Sequence, residues 1–271
     1  MRTPTSAPKT ATKKSAPRKP AKAPPPRMTL AEALRALEKA GTAQARKTYT
    51  RHGAAEPMFG VSFATLKELT KRIDVDHELA LGLWDTGNFD AQNLAVKIVD
   101  PARMKPADLD RWARDMSPSR MCGAYAAMLA AETPHGAAKA AEWLASKNAR
   151  LHGAGWVLLS QLAQRDETAP DAYFEKRLAE IERTIHAASN AERELMNMAV
   201  INIGGRSPAL RQAALAAAKR IGKVEVDHGD TACETPDATE YLKKYWAHAT
   251  SKGFESPAAQ ERKRERPRRR C

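Results

Sequence analysis

The stretch "DHELALGLWDTGNFDAQNLAVKIVDP" (residues 76–101) decides how this chain is built. Asp76 has the short acceptor side chain of a helix N-cap, and the run from it ends at Gly87, a residue suited to stopping a helix. Asn88 follows at once as a second cap. The next helical run ends before Pro101, which cannot continue it. Two helices separated by no more than a turn must lie side by side and antiparallel.

Working outward, the same grammar recurs. Toward the N-terminus, "TLAEALRALEKAG" offers Thr29 as a cap, a stripe of Leu30, Leu34 and Leu37, and Gly41 as a stop. "SFATLKELTKRI" starts at Ser62 and spaces Leu66, Leu69 and Ile73 helically. Toward the C-terminus come "PADLDRWARDM", "SPSRMCGAYAAMLAAE", "HGAAKAAEWLAS", "NARLHGAGWVLLSQLAQRD" and "PDAYFEKRLAEIERTIHAAS". "NAERELMNMAVINIGG", "SPALRQAALAAAKRIG" and "PDATEYLKKYWAHATS" complete the series. The only strand-like piece is "KVEVD", short and isolated. About a dozen short helices with tight turns predict an all-α fold of antiparallel pairs stacked side by side. No strict sequence period is visible, yet this alternation is that of degenerate HEAT-like repeats, an α-solenoid with a concave groove.

The charge is unevenly placed. The chain of 271 residues carries 45 basic and 32 acidic side chains, a net +13. Residues 1–27 hold eight basic residues and no acid, and the last eleven, "ERKRERPRRRC", hold seven basic and two acidic. The body between them therefore has thirty of each sign and is formally neutral. The expected organisation is a disordered, basic, Pro/Lys/Ala-rich segment at 1–27 and a helical repeat domain at 28–250. A basic and mostly disordered segment follows at 251–271, with a short charged helix conceivable in "AAQERKRER". Such ends neutralise phosphates without reading bases, and their attraction falls steeply with salt. Solubility is the plainer use of such ends; two of them around a neutral body favour polyanion binding.

Three widely spaced cysteines, Cys122, Cys233 and Cys271, argue against a disulfide framework and for a reducing cytosol. No apolar run approaches the roughly 18 residues that suggest a membrane span, and the N-terminus lacks the apolar core of a secretory signal. Its poverty in acids leaves organelle targeting open, although its prolines oppose an amphipathic helix.

Residues 46–73, "RKTYTRHGAAEPMFGVSFATLKELTKRI", and 79–101 resemble the DNA alkylation repair family, the AlkD-like HEAT-repeat glycosylases. "MNMAVINIGGRSPALRQAALAAAKRIGKVEVDHGDTACETPDA" (196–238) is similar to a C-terminal stretch of one branch of that family. The resemblance covers roughly residues 30–246 and implies an α-solenoid cupping duplex DNA. Active members remove cationic alkylated purines with no metal or organic cofactor. Tryptophans on the concave face contact the deoxyribose, and an aspartate stabilises the positive charge that develops there.

Those residues are missing here. Laid on "SPSRMCGAYAAML", the family's Trp-x3-Asp falls on Ser119 and Gly123, its supporting Arg falls at Gly153, and its second Trp near Asn202. No aspartate occurs anywhere in 116–131; Asp115 is the nearest acid and the weak catalytic candidate, against the ordinary reading of a solvated helix-end carboxylate.

Other signals have bland and sharp readings side by side. "VDHGDTACETPD" gathers Asp227, His228, Asp230, Cys233, Glu234 and Asp237. One His and one Cys without paired spacing favour a structured loop over a zinc site, with Thr235 capping a helix begun by Pro236. In "GGRSP", Arg206 at a helix junction suits either a phosphate or plain exposure. Trp84, Trp112, Trp143 and Trp156 lie on apolar stripes as core, Cys122 reads as a small buried hydrophobe, and His152 is a weak groove candidate.

The expected function is DNA binding within this family, through the concave face and the basic ends, with excision of alkylated purines as a further activity. The candidate phosphate contacts are Lys13, Lys14, Arg120, Arg206, Arg262, Lys263, Arg264, Arg268, Arg269 and Arg270. The expected partner is double-stranded DNA, held by a cytoplasmic, nucleoid-associated monomer without metal or cofactor. The alternative is a noncatalytic helical-repeat scaffold for a protein partner, or a nucleoid- or RNA-associated protein.

Overall fold

The computed structural model describes residues 27–115 and 125–264. Among them are fourteen α-helices and two single-turn 3-10 segments, and no strand beyond an isolated Gly41–Val61 bridge. The helices are α1 (Leu30–Ala40), α2 (Ala43–Arg51), α3 (Phe63–Ile73), α4 (His77–Asp85), α5 (Phe89–Ile98), α6 (Pro106–Asp115) and α7 (Tyr125–Ala130). They continue as α8 (Gly136–Leu144), α9 (Ala149–Arg165), α10 (Asp171–Thr184), α11 (Asn190–Gly204), α12 (Pro208–Ile221), α13 (Ala238–Ser251) and α14 (Pro257–Arg262).

The predicted caps at Thr29, Ser62, Asp76 and Asn88 all accept backbone N–H groups of their first turns. Thr29 and Glu32 form a reciprocal capping box, which holds the Glu32 carboxyl below the usual carboxylate range. Three points differ from the sequence reading. α2 is an additional helix, hard to see because it is largely polar and buries only Tyr49. "KVEVD" is irregular rather than extended into a strand. The folded body also runs past residue 250: Ser256, Pro257 and Ala258 are buried, and the Ala258 N–H donates to the Gly205 carbonyl at 3.0 Å.

Packing produces two layers. Neighbours in sequence pair as α4 with α5, α6 with α7, α8 with α9, α10 with α11 and α12 with α13. The second members stack on one another, α5 on α7, α7 on α9, α9 on α11 and α11 on α13. Their register is parallel: His152 meets Glu192 near one end of α9 and α11, and Gln164 bonds the Asn202 carbonyl near the other. Asn197 then bonds the Pro236 carbonyl, and the Trp246 indole donates to the Gly204 carbonyl at 2.8 Å. Sequence separations across these joints run from 38 to 42 residues in the C-terminal half. Across α4, α6 and α8 they run from 26 to 33. A repeat of unequal length explains why no strict period is visible in the sequence.

Two apolar cores result, and α9 feeds both. Leu151, Val157, Leu158 and Leu162 face the N-terminal core, while Trp156, Leu159 and Ala163 face the C-terminal one. Each repeat leans chiefly on its neighbours, as in solenoids, while α14 returns to pack on α9. Trp84, Trp112, Trp143 and Trp156 are all core residues. Trp84 and Trp112 stack with centroids 4.0 Å apart and planes 2° from parallel, joining α4 to α6.

Candidate nucleic-acid interface

The layer of α7, α9, α11 and α13 carries the positions at which the family resemblance places function. In α9, Gly153 is buried, and a Cβ there would stand 3.2 Å from Leu195 Cδ1 of α11. The position serves close helix approach and offers no guanidinium. One residue earlier, His152 Nδ1 is hydrogen-bonded to Glu192 Oε1, with its ring edge on Trp156. Asn202 lies on α11, half-buried, with its side-chain amide on the Met198 carbonyl. Its own carbonyl accepts from Gln164, whose Oε1 accepts the Tyr245 hydroxyl of α13 at 3.0 Å. Ser119, Arg120, Cys122 and Gly123 lie outside the described residues.

Asp115 is the exposed last residue of α6, and its charge falls on the Arg111 guanidinium, which is itself paired with Asp85 at 2.6 Å. Arg150 of α9 donates to the Arg114 carbonyl beside it at 2.7 Å. Among the described residues, Arg114 and Asp115 are both exposed at this corner.

Arg206 has an internal role rather than an exposed one. Its residue is 8% exposed, and its guanidinium donates to the carbonyls of Ala163, Asp166 and Ala169 and pairs with Asp171 at 3.2 Å. It also covers the Phe174 ring from 4.6 Å. The Ser207 hydroxyl donates to the other Asp171 oxygen at 2.6 Å, so the junction ties α12 to the start of α10. Burial works against the Asp166 carboxylate there. The Thr168 hydroxyl and N–H, the Ala169 N–H and the Arg206 charge nevertheless hold it below the usual range.

The loop 227–237 is held by its own bonds. Asp227 exchanges two bonds with the Asn190 side chain and accepts the Gly229 N–H. His228 pairs with the Thr235 hydroxyl at 2.9 Å, and the Thr231 hydroxyl donates to the His228 carbonyl. The helix that follows is capped by Asp237, not Thr235: α13 starts two residues later than the sequence suggests. Cys233 is exposed and free. Among the described residues no three His, Cys, Asp or Glu side chains are grouped so as to hold a metal ion.

Of the basic end residues, Arg262, Lys263 and Arg264 are described. α14 packs on α9 and α13 and sets them at the C-terminal end of α9. Arg262 pairs with Glu167 at 2.9 Å and Arg264 with Glu261 at 2.8 Å, whereas Lys263 is exposed and pairs with no acid among the described residues. Lys13, Lys14, Arg268, Arg269 and Arg270 lie outside the described residues. The sequence reading overlooked the stripe Tyr241, Lys244, Tyr245 and His248 on α13. Its signal was the i, i+3, i+4, i+7 spacing in "YLKKYWAH".

These joints define the class: an all-α protein of HEAT-like repeats, whose second helices stack into one layer. The chain belongs to the DNA alkylation repair enzyme family, whose model matches residues 30–242. It is similar to the "Uncharacterized protein Lin0241" of Listeria innocua, 28% identical over 217 residues, covering 78% of this chain and 93% of that protein. The "Uncharacterized protein Lmo0209" of Listeria monocytogenes matches to the same extent. A solved structure from "a new family of proteins related to the HEAT-like repeat DNA glycosylases with affinity for branched DNA structures" is also similar. It has a TM-score of 0.71 and 28% identity, over 85% of this chain and 98% of that one.

Proposed function

We propose that this chain is a monomeric DNA-binding protein that prefers branched or distorted duplexes and does not excise bases. One observation carries the reading: nearly the whole of a protein from a family with affinity for branched DNA is matched by this chain's body. The charge distribution supports it. The excess positive charge lies in the end segments, which suit sequence-independent contact with phosphates, while the neutral body is left to read shape. Lys263 and the arginines that follow would then work with the second-helix layer on one ligand. A nucleoid-associated place in the cytoplasm goes with this reading.

Excision lacks residues to support it. Cleavage of a glycosidic bond through an oxocarbenium-like state asks for a fixed carboxylate beside the sugar. The family's Asp position reads Gly123, its Arg position Gly153 and its second Trp position Asn202, and the nearest acid, Asp115, is exposed with its charge on Arg111. The experiment is a competition binding assay on the intact chain, with a labelled four-way junction challenged by unlabelled linear duplex. The junction should be retained. The same protein incubated with methylated duplex should release methylpurine no faster than the spontaneous rate; faster release would restore a glycosylase and make Asp115 the first substitution.

A further inference from the structure

We infer that Tyr241, Lys244, Tyr245 and His248 form a stacking strip on α13 that receives an unpaired base at a DNA branch. Lys244 would meet the adjoining phosphate. The inference rests on the DNA-binding reading above and names the part of the surface that would distinguish a branch from a linear duplex.

The strip stands out because the chain's other large aromatic groups are mostly inside. All five tryptophans are buried, yet Tyr241 is 43% exposed. An exposed tyrosine alone is ordinary. This one sits edge-on to Tyr245, with ring centroids 6.1 Å apart and planes at 66°. Tyr245 is in turn fixed from behind: its hydroxyl donates to Gln164, and its ring lies so close to Gly205 that a Cβ there would stand 2.9 Å from it. The second ring is therefore held by the α9–α11 joint before any ligand arrives, which lowers the ordering cost of binding.

Spacing places the charges. Residues 241, 244, 245 and 248 share one helical face over about 10 Å. Lys244 is exposed and pairs with no acid among the described residues, in contrast to its neighbour Lys243, which is held by Glu240 at 2.7 Å. His248 is exposed one turn further on. Gln164 accepts the Tyr245 hydroxyl on its side chain and the Arg262 guanidinium on its carbonyl, so the strip and the basic residues of α14 share one corner. Alternating aromatic and cationic side chains suit unpaired nucleic acid, because every base has a face to stack and every nucleotide a phosphate. In a linear duplex the base faces are already covered. At a branch they are not.

The test uses a forked duplex with 2-aminopurine at its first unpaired position, and a linear duplex of equal length. Wild-type protein should quench the 2-aminopurine on binding. Tyr241→Ala should remove most of the quench and weaken fork binding about tenfold, leaving linear binding and the melting temperature unchanged, because the side chain is exposed. Tyr241→Phe should behave as wild type. Lys244→Ala should weaken binding and lower the salt dependence by about one phosphate contact. If wild type prefers the fork while Tyr241→Ala and Lys244→Ala match it in quench and affinity, the strip is wrong and the function stands. If wild type shows no preference for the fork, both fail.

Discussion

The carboxylate of Asp90 lies 2.9 Å from the backbone N–H of Gly60, thirty residues away in sequence. The same side chain accepts the N–H groups of Phe59 at 2.7 Å and Val61 at 2.9 Å. Asp90 is fully buried in the first turn of α5, where a negative charge also suits the helix end. The loop before α3 is thereby fastened to the central helix of the N-terminal core. Gly60 is needed there: its φ is +81°, and a Cβ would come within 2.5 Å of Arg46.

Asp90→Ala should lower stability by about 3 kcal/mol, since three N–H groups lose their acceptor. Thermal unfolding measures this, and a change under about 0.5 kcal/mol, typical of a surface site, would show that the loop is held by other contacts.

Arg206→Ala should cost about 3 kcal/mol, because three carbonyls and Asp171 lose a buried partner. Arg206→Lys should recover only part of this, since one ammonium does not reproduce the planar fork. DNA affinity, compared at a temperature where both variants are folded, should be unchanged. A stable Arg206→Lys protein with weakened DNA binding would instead place this residue on a phosphate.

Lys139 gives a pH dependence. Burial disfavours its ammonium, but bonds to Glu142 at 2.6 Å and Asp110 at 2.9 Å outweigh that and raise its pKa above the ordinary lysine value. The folded value being raised, its contribution to stability is complete below the unfolded value of about 10.4. It is lost as pH climbs through the folded value. Lys139→Met should be less stable than wild type by about 1–2 kcal/mol at pH 7, and the gap should close above about pH 10.4. A gap constant from pH 7 to 12 would contradict this.

Removing residues 1–26 and 265–271 should leave the melting temperature unchanged while weakening DNA binding and flattening its salt dependence. Cutting at 251 should destabilise the body as well, because it removes buried Ser256, Pro257 and Ala258 and the Ala258–Gly205 bond. Equal melting temperatures for the two truncations would show that α14 is dispensable to the fold.

The fold was legible because capping residues and apolar stripes are local: Thr29, Ser62, Asp76 and Asn88 each start the helix that their side chains imply. α2 was missed because it rests on Tyr49 alone rather than on a stripe. The candidate site was less legible, since exposure is a property of the assembled layers. "GGRSP" gives no sign that Arg206 turns inward to three carbonyls, one in the last turn of α9 and two in the α9–α10 connection. Nor does "YLKKYWAH" say which tyrosine stays outside. Tyr241 is exposed and Tyr245 is held by Gln164, a residue 81 positions away.

The central claim is best tested by equilibrium titration of the intact chain, at one fixed physiological salt concentration, with a four-way junction and with linear duplex of the same length. The account predicts binding to both, with the junction favoured by about tenfold, a free-energy difference of roughly 1.4 kcal/mol. Equal affinity for the two would reduce the protein to nonspecific attraction by its basic ends. No binding to either would contradict the account outright.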